Sequence, residues 1–212
     1  MTVAGQYNGD LIVNGALRLS EGISPLKDRD DLLAVEERVK VIPFEGWRED
    51  DDHDGLLSET PTADYLGLVG GTFGTNHPSL QTLDVGGDAA SATASARRTI
   101  EVPQDYVAGQ SFKIRLHGGM HTTVADTTAT ADLEVHKCDG DRTVSADLAS
   151  AASANNINSV TYSDVNFTIT ATTLTPGDLL DVRLSITTED AGNSGADIRG
   201  VIGKVSLVYN GR

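Results

Sequence analysis

The most constraining feature of this chain is a strict two-residue rhythm near its C-terminus. Leu180, Val182, Leu184 and Ile186 alternate with Asp181, Arg183 and Ser185. A helix would scatter these apolar residues around its circumference, whereas a strand puts all four on one face. The rhythm recurs in Phe112, Ile114 and Leu116, with Lys113 and Arg115 between them, and in Leu133 and Val135 around Glu134. One apolar and one polar face describes a half-buried antiparallel sheet, since strands of a parallel α/β sheet are apolar on both faces.

The same reading predicts strands over 98–102, 111–116, 129–136, 143–148, 159–162, 166–170, 179–187 and 201–209. Turns at Val107–Gln110, Asp139–Asp141 and Thr175–Asp178 lie between them. Eight strands suit a sandwich, and the Ala/Ser/Asn stretch from Ser150 to Asn158 suits a crossover between its sheets. The expected class is all-β: a jelly-roll-like antiparallel β-sandwich with an extended N-terminal arm. An immunoglobulin-like strand order stays open, because alternation does not reveal order.

Upstream of residue 98 the pattern is weaker. Leu11 and Val13, then Leu17 and Leu19, flank Asn14-Gly15 and read as a hairpin of two short strands, which needs another surface to be stable. Asp28 to Lys40 suits either a short helix or a strand from Ala34. Pro43 ends it, and the acidic run Glu49–Asp54, with His53 inside, reads as a solvated turn. Glycines and prolines from Leu56 to Gly87 allow only short strands at 65–69 and 80–85. Residues 88–96 read as a flexible link. The expected organisation is an arm over 1–40 and a β-sandwich domain over 41–212, clearest from 98 onward.

Charge excludes some partners. Lys plus Arg is 16 against 31 Asp plus Glu, a formal charge of −15, which argues against nucleic acid. No apolar run approaches the length of a membrane span, and the polar start after Met1 has no basic region of a secretory signal, so no membrane partner is expected. Cys138 stands alone, which leaves no internal disulfide.

The chemistry-bearing patterns are weak, so no enzyme, cofactor or metal is expected. His117-Gly-Gly-Met-His121 has the spacing of a helical metal site, but the glycines place it at a strand end entering a bend. The acidic residues around His53 suit a hard cation but lack a calcium loop's ligand order. Gly67–Gly74 has no phosphate-loop ending; its glycines let backbone pass closely, with Leu68 and Phe73 as anchors. No nucleophile elbow accompanies the Ser, His and Asp residues, and Asp126 and Asp147 share no evident cleft. Asp139 and Asp141 would raise the Cys138 thiol pKa. Asn166-Phe167-Thr168 is a glycosylation triplet without an export signal. Phe44 and Trp47 suit an anchor of the arm, in this chain's core or in a neighbour's groove.

Several strings together resemble a group of tailed-phage virion proteins, similar in plan to β-sandwich decoration or cement proteins of capsids. These are Pro43–Arg48 (PFEGWR), Leu66–Asn76 (LGLVGGTFGTN) with Pro78–Thr82, Tyr106–Leu116 (YVAGQSFKIRL), and Leu174–Arg183 (LTPGDLLDVR) with Val201–Gly203. The resemblance spans about residues 41 to 209. It implies a non-enzymatic protein on the outer capsid surface of a virion, made in the host cytoplasm, bound to the major capsid protein and homo-oligomeric as a trimer. Leu11, Val13, Leu17 and Leu19 would then pair with a capsid or sister-subunit edge, with Phe44 and Trp47 as anchors. The alternative is a carbohydrate- or receptor-binding β-sandwich module of a phage fibre or tail. Its mark would be an exposed aromatic platform, for which 5% aromatic residues and a single Trp provide little material.

Overall fold

The computed structural model describes residues 11–13, 16–18, 35–51, 55–87, 90–149 and 154–212. Its twelve strands are β1 (Leu11–Val13), β2 (Ala16–Arg18), β3 (Glu36–Ile42), β4 (Gly67–Val69), β5 (Ser79–Gln81), β6 (Ser91–Glu101), β7 (Phe112–Met120), β8 (Thr127–Cys138), β9 (Asn155–Asn156), β10 (Ser163–Thr168), β11 (Leu179–Asp190) and β12 (Gly200–Gly211). One sheet runs β10-β7-β12-β5-β4, with β3 also paired to β12; the other runs β6-β11-β8-β9. Every pairing between strands is antiparallel. From β6 to β8 and again from β10 to β12 the chain alternates between the sheets, so each new strand builds the opposite layer. The protein is an antiparallel β-sandwich of jelly-roll-like form, as the alternation predicts.

The inner faces meet in one core. Leu180, Val182, Leu184 and Ile186 of β11 are fully buried, as are Phe112, Ile114 and Leu116 of β7 and Val135 of β8. Burying such a side chain contributes about 1.5–3 kcal/mol, and the repeated pattern makes a one-residue slip of register costly. On the outer face of β12, Ser206 and Val208 are also buried, flanked across the strands by Arg115 and Val41 and by Lys113 and Val39.

Several expectations change. Of the expected link over 88–96, residues 91–96 are strand: β6 starts at Ser91 and pairs with β11 through Glu189, while 88–89 lie outside the described residues. Residues 143–148 form no strand, because side chains take the place of ladder carbonyls: Asp147 Oδ1 accepts from Val135 N at 2.9 Å and Ser145 Oγ from Lys137 N at 2.9 Å. Residues 159–162 form no strand, and the strand expected over 166–170 begins earlier, as β10 at Ser163. In His117–His121 the glycines lie inside β7, which continues through Met120, and the bend begins only at His121. The glycines serve close approach: a Cβ at Gly118 would collide with Ile202 and the Val201 carbonyl, and one at Gly119 with the Ser159 carbonyl.

The open choice over 28–40 resolves as strand β3 from Glu36; residues 28–34 lie outside the described residues. The N-terminal hairpin pairs Leu11 with Arg18 and Val13 with Ala16, and Leu19 lies outside the described residues.

Candidate functional site

The outer face of the four-stranded sheet is polar over four successive rows, beyond which Glu101, the exposed Leu179 and Cys138 form the end row. Register sets its rows: Thr93, Thr187 and Thr130; Ser95, Ser185 and Asp132; Arg97, Arg183 and Glu134; Thr99, Asp181 and His136. Hydroxyls bridge the first two rows, Thr93 to Thr187 at 2.8 Å and Ser95 to Ser185 at 2.8 Å.

In the third row two arginines stand directly opposite each other, an unfavourable pairing unless carboxylates neutralise it. Asp181 takes Arg97 in a two-point contact, with Nε donating to Oδ1 at 2.7 Å and a second bond to Oδ2. Glu134 accepts from Arg183, and Asp50 of the neighbouring loop accepts from its other terminal nitrogen at 3.3 Å. The hydrogen bond that Arg97 donates to Asp181 raises the Arg97 pKa. At Arg183 partial burial pulls downward, but the charges of Glu134 and Asp50 outweigh it and the pKa rises. Both guanidiniums are thereby held in place before any ligand arrives.

These groups line a cavity of about 300 Å³ formed by Asp50, Arg97, Glu134, His136, Val144, Asp181 and Arg183. Its walls come from outside the sheet. Arg48 pairs with Arg97 through two backbone bonds of 2.9 Å and carries Asp50 to one rim. Val144, bridged to Cys138, forms the other. His136 Nδ1 donates to the Ser145 carbonyl at 2.9 Å, leaving Nε2 as the ring's remaining polar atom. Planar donors, carboxylate acceptors and an imidazole thus converge on one concave surface. Such a set can form paired hydrogen bonds with neighbouring hydroxyls of a polar ligand.

A second cavity, about 350 Å³, opens where β12 changes partner from β5 to β3. It is mainly apolar, lined by Val41, Ile42, Pro43, Phe44 and Pro78 together with Glu45, His77, Gly203 and Lys204. His77 spends Nδ1 on the Pro78 carbonyl at 2.7 Å and meets the Phe44 ring edge-on at 6.5 Å.

The residues singled out in the sequence have structural occupations. Trp47 is 1% and Phe44 7% exposed, both inside this chain's own core. His117 Nδ1 is 2.7 Å from Asp164 Oδ1, and His121 lies 3.5 Å from Asp197, so the two histidines have separate partners. Asp147 accepts backbone N–H groups of Val135 and Ala149. Asp126 sits in a left-handed turn at φ 62°. Burial, then Asp181, raises the Cys138 thiol pKa; Asp139 adds less. The direction matches expectation, while the leading cause differs.

Within the acidic run, Asp51 accepts the Tyr65 hydroxyl at 2.6 Å and Asp50 holds Arg183; residues 52–54 lie outside the described residues. No cluster of three metal-ligating side chains occurs among the described residues. Phe73, expected to anchor its segment, is instead fully exposed.

No protein-family profile matches the chain, and no curated protein does. Solved structures are similar only loosely. The CBM22-1–GH10 modules of Clostridium thermocellum xylanase 10B, complexed with xylohexaose, align at 15% identity and a TM-score of 0.41 over 80% of this chain and 27% of that one. The CBM22-1 xylan-binding domain of Paenibacillus barcinonensis Xyn10C aligns at 11% and 0.42, over 84% and 97%. A structure of infectious bursal disease virus, Gx strain, aligns at 17% and 0.35, over 92% and 37%. This chain spans about a quarter of the first of these. At such scores the likeness bears no weight for function.

The resemblance to tailed-phage decoration proteins is corrected: neither the family profiles nor the curated proteins return such a protein, and the proposed anchors Phe44 and Trp47 are consumed by the chain's own core. The cement role, the major capsid protein as partner, the trimer and the outer capsid location are withdrawn with it.

Proposed function

We propose that the protein is a carbohydrate-binding β-sandwich module whose ligand surface is the polar outer face of the β6-β11-β8-β9 sheet. The observation that carries this reading is the groove at Arg97, Arg183, Asp181 and Glu134. A sugar presents neighbouring hydroxyls, each both donor and acceptor, at a spacing that a guanidinium or carboxylate engages with two parallel hydrogen bonds. Because ion pairs already orient these groups, little side-chain entropy is lost on binding. The adjoining Thr and Ser rows extend the same chemistry along the strands, suiting a chain of sugar units.

The test is affinity electrophoresis of the full chain through gels containing soluble xylan or mannan. Wild type is expected to be retarded, and Arg183→Gln and Glu134→Gln to be retarded less, with thermal midpoints near neutral pH lowered only by the small amount that a half-exposed ion pair contributes. Migration of wild type unaffected by either polysaccharide would refute the reading.

A further inference from the structure

The most exposed aromatic side chain among the described residues is one that a folding argument has no use for. Phe73 is wholly solvent-exposed at the tip of the β4–β5 hairpin. The tip is nonetheless built. Thr72 N–H donates to Asn76 Oδ1 at 2.8 Å, and Thr75 and Asn76 N–H groups both donate to the Thr72 carbonyl, at 2.9 and 3.1 Å. Gly70, Gly71 and Gly74 take φ values of 91°, 92° and 74°, a region that other residues enter only with strain. Gly74 has open space around it, so its conformation alone requires glycine. The hairpin therefore spends three special backbone positions and a side-chain cap on displaying one phenyl ring.

Charge narrows what the ring meets. From Tyr65 to Leu83 the chain has no Asp, Glu, Lys or Arg, although the whole carries a net charge of −15. A lipid surface calls for basic residues beside the apolar one, and the hairpin has none. A stable protein interface needs about 1,000 Å² of buried surface, whereas one aromatic ring supplies about 150–250 Å² and its neighbours are Gly, Thr and Asn. A neutral sugar ring fits both limits. One face of a pyranose presents C–H groups over an area close to that of a phenyl ring, and its rim carries uncharged hydroxyls that Thr72, Thr75 and Asn76 can address.

We infer that Phe73 and the Thr72–Asn76 tip form a second contact for a neutral glycan, apart from the sheet groove. The assignment rests on the reading of the chain as a carbohydrate-binding module. It adds to that reading the ligand's electrical neutrality and a ring-stacking subsite on the opposite sheet's hairpin.

The experiment compares wild type, Phe73→Ala, Phe73→Trp and Arg183→Gln by affinity electrophoresis in soluble xylan and mannan, with polygalacturonate as the anionic control. Phe73→Ala is expected to weaken binding to a neutral polymer about tenfold with no change in thermal midpoint, and Phe73→Trp to preserve it. Polygalacturonate should retard none of them. If Phe73→Ala binds as wild type while Arg183→Gln is impaired, the hairpin contact is overturned and the groove reading stands. Loss in Phe73→Trp equal to that in Phe73→Ala, or preferential binding of polygalacturonate, also overturns it. If wild type binds neither neutral polymer, both assignments fall.

Discussion

Replacing Asp181 by Asn tests whether the groove is held rigid by its ion pairs. The substitution keeps the shape of the side chain and removes its charge. In the folded protein the Asp181 side chain is 14% exposed and contacts Arg97, which is 35% exposed. A hydrogen bond to a charged partner contributes about 1.5–3 kcal/mol and a neutral one about 0.5–1.5, so the exchange costs on the order of 1 kcal/mol. Loss of the carboxylate also leaves Arg97 facing Arg183 across the strands, worth up to about 1 kcal/mol more. Arg97 is a third open to water, and screening discounts both contributions, leaving about 1–2 kcal/mol at neutral pH.

Urea unfolding followed by Trp47 fluorescence measures this directly, because Trp47 is the only Trp and lies in the core. The loss should shrink in high salt. A cycle with Arg97→Gln should show coupling, since the second substitution has little left to remove. A change below about 0.3 kcal/mol, or independent effects of the two substitutions, would mean that the guanidinium is not held by Asp181. The preorganisation argument for the groove would then fail.

Other substitutions probe the frame. Trp47→Ala should cost about 3–5 kcal/mol by circular dichroism, and Trp47→Phe clearly less, because the buried indole N–H has no partner among the described residues and its removal ends an uncompensated desolvation. Gly119→Ala forces its Cβ onto the Ser159 carbonyl and should cost about 1–3 kcal/mol in chemical denaturation. Asp178 bears on acid stability. Burial would raise its pKa, but the Thr175 N–H at 2.7 Å and Lys137 at 2.9 Å outweigh it, so the folded value is lowered. A lowered carboxylate stabilises the fold fully above about pH 4 and ceases to do so as pH falls through its folded value. The stability gap between wild type and Asp178→Asn should therefore narrow from pH 7 towards pH 3 in parallel urea titrations.

How much of this was legible depends on the range of the interaction. The β11 alternation identified its strand and core face correctly, because side-chain period is a local property of the backbone. Residues 143–148 show where local pattern misleads: they run beside β8, but Asp147 and Ser145 side chains replace the ladder. Residues 91–96 show the converse, since small residues that look like part of a linker become strand once β11 supplies a partner. Phe44 and Trp47 suited a core better than an interface without excluding either, and burial decided for the core.

The groove was out of reach in a different way. Glu134, Asp181 and Arg183 were recognisable as outward-facing residues of amphipathic strands, but nothing local joined them to Arg97, which lies 84 positions before Asp181. Phe73, legible only as an apolar residue among glycines, was expected to pack inward.

The sequence by itself determined the class of this protein: two-residue periodicity and turn chemistry act over a few neighbouring positions, and they dictate strands with one buried face. The tertiary structure decided which strands are neighbours, and in what register, and therefore which charges meet. Those choices come from burying whole faces against each other across long stretches of chain, a cooperative energy that no short segment carries.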